Sequence, residues 1–113
     1  MAESFQVQAE KRQDSTVITP RGDIDMAVSP HFREALRQAQ ESRPKRLVVD
    51  MAGVGYMDSS GLATLVEAMK LTRNGGTRLV LCSLSDRVRA IFEIARLEKY
   101  FTIAPSLDAA VSA

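Results

Sequence analysis

The spacing of apolar positions changes several times along the chain, and each change marks an element. Phe5 to Ala9 and Thr16 to Thr19 are short β-favouring segments either side of the charged stretch Glu10 to Asp14, which predicts an opening hairpin. Pro20-Arg21-Gly22-Asp23 breaks the second segment or turns its end. The period then lengthens. Phe32, Ala35, Leu36 and Ala39 recur at spacings of three and four and form one helical stripe. Ser29 is the predicted cap, and Pro30 suits the first helical position, where a missing N–H loses no bond. Ser42 to Lys45, with its proline, closes this helix.

Leu47-Val48-Val49 is continuously apolar, as expected of a strand covered on both faces. Asp50 to Met57 then leads into the clearest helix, in which Leu62, Leu65, Val66 and Met69 share a face. Asn74-Gly75-Gly76 supplies the left-handed residue that ends it. Thr77 to Cys82 is a second buried-type strand, and Ser85 caps a third helix carrying Val88, Ile91, Phe92 and Ala95. Tyr100 to Ile103 reads as a last strand and Leu107 to Val111 as a short terminal helix. The order β-β-α-β-α-β-α-β-α implies right-handed crossovers and mainly parallel pairing, with the hairpin making the sheet mixed. The expected fold class is α/β: a small mixed central sheet with an N-terminal hairpin and about four packed helices.

A length of 113 residues sets one domain, 1–113, able to build a core without disulfides or a structural metal. The net charge of +1 lacks the basic excess of a nucleic-acid binder, so no nucleic-acid partner is expected. The one dense basic patch, Arg43-Pro44-Lys45-Arg46, reads as a solvated loop. Cys82 is the sole cysteine and falls in an apolar run, where a small buried hydrophobe is expected. The first residues show neither the basic nor the apolar region of a signal peptide. No stretch approaches the ~20 apolar residues of a membrane span. The expectation is a cytoplasmic protein without membrane insertion.

The residues offer little for catalysis. His31 is the only histidine and reads as exposed on the first helix. Neither Ser59 nor Ser60 sits in a Gly-x-Ser-x-Gly elbow, because Met57 occupies the first glycine position. One cysteine and one histidine cannot make a usual zinc site. Asp23, Asp25, Asp50 and Asp58 lie toward one end of the sheet but lack calcium-loop spacing. No phosphate-binding loop is present, and Gly53-Val54-Gly55 lacks a third glycine. No catalytic residue, metal or cofactor is therefore expected, and the chain reads as a non-enzyme. What remains is Asp58-Ser59-Ser60-Gly61, at the point where a strand-exit loop becomes a helix. Taken alone, it reads as a helix cap.

Three stretches in the same order add to that reading. They are Gly22-Asp23-Ile24-Asp25, the run from Asp50 to Leu62 that contains Met57-Asp58-Ser59-Ser60-Gly61-Leu62, and Asn74-Gly75-Gly76-Thr77. Together with Ser85 to Ala95 and Leu97, they resemble the STAS family and, within it, the bacterial anti-sigma-factor antagonists. Asp23 stands where many of those proteins carry Glu, which keeps the charge. The resemblance implies a STAS (SpoIIAA-like) fold with Ser59 as phosphoacceptor. It also implies a partner that is both anti-sigma factor and serine kinase, of the GHKL ATPase-like class, bound when Ser59 is unmodified and released when it is phosphorylated. A PP2C-type phosphatase would restore binding, and the free protein is expected to be a monomer. On this reading Asp25 and Asp58 position the Ser59 hydroxyl or contact the partner. Asp23 adds acidic surface, and Ser60 and Gly61 keep the helix entrance open.

The physical logic of such a site is simple. Phosphorylation adds roughly −1.5 to −2 charge. A helix N-terminus tolerates that charge, because its dipole and free N–H groups favour an anion. A partner docked over the aspartates would meet like charge, at a cost of several kcal/mol. Other STAS proteins dock constitutively on a transporter ATPase or in a larger signalling assembly, and this is the alternative the resemblance leaves open.

Overall fold

Alternation along the strands gives one sheet two different faces. In the computed structural model, which describes residues 5–113, five strands lie side by side in sequence order. They are β1 (Gln6–Arg12), β2 (Ser15–Arg21), β3 (Arg46–Asp50), β4 (Arg78–Cys82) and β5 (Thr102–Ala104). β1 pairs antiparallel with β2, and every other pairing is parallel. The helices are α1 (Ser29–Glu41), α2 (Ser59–Asn74), α3 (Asp86–Ile94) and α4 (Leu107–Val111). Parallel strands laid in sequence order by crossovers of one hand put α1, α2 and α3 on the same face.

Ile18, Leu47, Val49, Leu79 and Leu81 point to that face and meet Phe32, Leu36, Leu65, Val88 and Phe92 in the main core. Phe92 packs edge-on against Phe101, ring centroids 5.2 Å apart. Each fully buried side chain of this size contributes about 1.5–3 kcal/mol. The alternate residues Val17, Val48, Val80 and Cys82 point the other way, where Ala110 of α4 closes a smaller cluster. Burial on both faces is why β3 and β4 read as unbroken apolar runs.

The element order matches the sequence reading, and the differences lie mostly at boundaries. Both hairpin strands are longer than expected, and β2 runs through Pro20. The Asp14 carbonyl and the Gly22 N–H both bond on the β3 side of β2, to Arg46 and Gly53. The Pro20 nitrogen therefore faces that side too, beyond Ile18, where the ladder to β3 ends. Ser29 is not the cap of α1. Val28 holds that position without a side-chain bond, and Ser29 is buried in the first turn.

On α2 the buried line is Leu62, Leu65, Ala68 and Thr72, with Thr64 beside it, while Val66 and Met69 are half-buried. The left-handed residue after α2 is Gly76 (φ 76°), and Gly75 keeps a negative φ. Ala95 ends α3 as an exposed C-cap, and Tyr100 closes a short 3-10 turn ahead of β5. Arg46 departs furthest from expectation. Its guanidinium donates to the Ser15 hydroxyl (2.7 Å) and to the carbonyls of Val111 (2.6 Å) and Ala113 (3.1 Å), fastening the end of the chain under the sheet. Residues 1–4, on which the expectation of no leader partly rests, lie outside the described residues.

Candidate functional site

Two loops at the carboxyl ends of β2 and β3 are joined by backbone bonds at Gly22 and at Ile24. Ile24, fully buried, donates its N–H to the Tyr56 carbonyl and accepts from the Asp58 N–H, each at 3.0 Å. The second loop is fixed from beneath by Met51, Val54 and Met57, all buried, at a spacing of three. The Asp50 carboxylate accepts from the Ala52 N–H at 3.1 Å, so it serves its own turn. Tyr56 lies under Arg87, whose guanidinium carbon is 5.5 Å from the ring centroid, and α3 thereby braces the loop.

Asp58 then caps α2. Its Oδ1 accepts from the Ser60 N–H (2.9 Å), the Ser60 hydroxyl (2.5 Å) and, more distantly, the Gly61 N–H (3.4 Å). The Ser60 hydroxyl, with the N–H groups of Ser60, Gly61 and Met26, holds the Asp58 carboxyl below the usual carboxylate range against the opposing effect of burial. Ser59, the first residue of the helix, is exposed. Among the described residues its hydroxyl makes no hydrogen bond. Its hydroxyl is thus free, carried on the first residue of a 16-residue helix.

Asp23, Asp25, Asp58, Ser59 and Ser60 all belong to these two joined loops or to the helix entrance. The Asp25 carboxylate accepts from the N–H groups of Ala27 (3.0 Å) and Val28 (3.2 Å), and its carbonyl from Ser29 (2.9 Å). Asp25 thus closes the turn ahead of α1, which itself has no side-chain cap, and neither it nor Asp58 bonds the Ser59 hydroxyl. Gly61 is buried, and a Cβ there would lie 2.3 Å from Met57 Cγ and 2.8 Å from Ile24 Cγ2. Its missing side chain makes room for the core below the helix entrance rather than for a visitor from solvent.

Sequence reasoning missed Met26, which is 75% exposed beside Asp58, and Tyr56, which is 40% exposed. The only sequence signal for Met26 is an apolar residue outside any periodic stripe. His31 is exposed and meets the Phe5 ring edge-on at 5.7 Å. Among the described residues no group of three or more His, Cys, Asp or Glu side chains could hold a metal, and no helix is long and apolar enough to cross a membrane.

Residues 6–110 match the profile of the STAS domain. The anti-sigma-B factor antagonist of Listeria monocytogenes is 38% identical over 94 residues, spanning 83% of this chain and 82% of that one. A crystal structure of an anti-sigma factor antagonist from Mycobacterium paratuberculosis superposes with a TM-score of 0.84 at 26% identity, covering 96% of this chain and 92% of that one. The Bacillus cell fate determinant SpoIIAA in its phosphorylated form gives 0.71 at 20% identity, covering 96% and 97%. At that identity the likeness speaks for the fold alone.

Proposed function

We propose that this chain, which belongs to the STAS-domain family, is an anti-sigma-factor antagonist, a cytoplasmic protein-binding switch controlled by phosphorylation of Ser59. Unmodified, it sequesters an anti-sigma factor that is also a serine kinase of the GHKL ATPase-like class. Phosphorylated, it releases that partner until a PP2C-type phosphatase removes the phosphate. The curated relatives named anti-sigma-B factor antagonists support the first half of this reading. The observation that carries the second half is the exposed, unbonded Ser59 hydroxyl at the start of α2, beside a neighbour tied down by Asp58.

The partner kinase, which supplies the catalytic groups, transfers the terminal phosphoryl group of ATP to the Ser59 oxygen, breaking the bond to ADP, which leaves, while the hydroxyl proton is given up. The site needs only to present that hydroxyl and tolerate the product. The helix dipole favours the new anion, so the fold survives. The interface does not, because the phosphate arrives next to Asp58 and near Asp23 and Asp25, where a docked partner meets several like charges. Met26 and Tyr56 supply the apolar contact that such a partner covers.

Calorimetry with the anti-sigma kinase from the same host tests this reading. The unmodified protein should bind, and Ser59→Glu should weaken binding by about 100-fold, roughly 2.7 kcal/mol. Equal affinities would contradict the switch and favour constitutive docking.

A further inference from the structure

We propose a second site, at the opposite end of the sheet from Ser59, that binds a compact oligophosphate through Lys45, Arg73 and Arg78. A hollow of about 420 Å3 opens there between the end of α2 and the starts of β4 and β5. Lys45 reaches it from the loop after α1, Arg73 from the last turn of α2, and Arg78 from the first residue of β4. Tyr100 and Thr102 complete the wall, and no aspartate or glutamate lines it.

Among the described residues none of these three cations has a carboxylate partner. In a chain of net charge +1, their gathering around one hollow is not a by-product of general basicity.

The scaffold holds the cations from fixed backbone. The Arg78 N–H donates to the Lys45 carbonyl at 2.9 Å, and α2 is stopped by Gly76 just beyond Arg73. The last carbonyls of α2 accept from the N–H groups of Gly75, Gly76 and Thr77, which blunts the negative end of the helix. The Thr77 hydroxyl is committed to the Pro44 carbonyl and the Thr72 hydroxyl to that of Ala68, so recognition falls to the cations. Two guanidinium forks and one ammonium match the oxygens of linked phosphates, whose several charges can face all three groups at once. The basic loop expected to be solvated is thus divided: Arg46 clamps the chain end while Lys45 faces the hollow. From Ser59 to Arg73 the helix rises roughly 21 Å, so a ligand here leaves the phosphoacceptor surface clear.

Calorimetry with inorganic triphosphate in 150 mM salt tests the site, with citrate as a carboxylate probe of similar charge. The expected result is one site with a dissociation constant below about 100 μM, weakened at least tenfold by Arg78→Gln and by Lys45→Gln. Arg33→Gln, outside the hollow, should leave it unchanged. Thermal melting without ligand should show both pocket variants folded, since Lys45 and Arg78 are exposed. No binding, equal loss in all three variants, or citrate binding as tightly as triphosphate would each overturn the proposal.

Discussion

The Ser60 hydroxyl is held by the Asp58 carboxylate at 2.5 Å, and this single bond makes two adjacent serines chemically different. Ser60 is half-buried and spent on the cap, while Ser59 is exposed with its hydroxyl free. Ser59→Ala should therefore abolish phosphate incorporation by the cognate kinase, and Ser60→Ala should retain it. Ser60→Ala should also raise the Asp58 pKa toward the ordinary carboxylate value, because the hydroxyl is the first cause of its depression. Carboxyl-carbon NMR titration reads that shift directly.

Asp58 should matter to stability in two separable ways. Asp58→Ala removes the cap and should cost roughly 0.5–2 kcal/mol in chemical denaturation. Asp58→Asn keeps a capping oxygen and should cost less at neutral pH. The folded-state pKa of Asp58 lies below its unfolded value, so the charge contributes stability above about pH 4 and loses it as pH falls through the depressed pKa. The wild type should lose more stability than Asp58→Asn across that acid window, and parallel curves would contradict the assignment.

Gly61→Ala sets two effects against each other. Alanine favours the helix by about 1 kcal/mol. Its Cβ would meet Met57 and Ile24, both fully buried, at distances no packed core accepts. Overpacking of this kind costs about 1–3 kcal/mol, so the net change should be destabilising. Urea unfolding should show a lower midpoint, whereas an unchanged or raised midpoint would mean that the loop yields easily.

Cys82 is fully buried beneath α4, and burial, with the nearby Asp50 charge, pushes its thiol up to about 11. The native protein should resist alkylation at pH 7.5 and react fully once unfolded, a difference that mass spectrometry of iodoacetamide-treated samples resolves.

How much of this was legible depended on whether partner residues lie close in sequence. The Ser85 cap, and a cap somewhere in Asp58-Ser59-Ser60-Gly61, are readable because a capping side chain bonds a residue two or three positions on. The start of α1 reads differently in sequence because Asp25 closes a turn ahead of the helix and Ser29 is buried inside its first turn. Gly61 and Arg46 were visible as residue types, but their reasons sit at Ile24 and at the chain end, which only the fold brings near. The difference between Ser59 and Ser60 was equally hidden, since either could cap on propensity alone.

The most direct test is the intact mass of the protein purified from its own host, with peptide mapping of residues 50–70. The account predicts a fraction carrying one phosphate, located on Ser59 and absent from Ser60. Phosphate on Ser60, or none under either growth or stress, would contradict it.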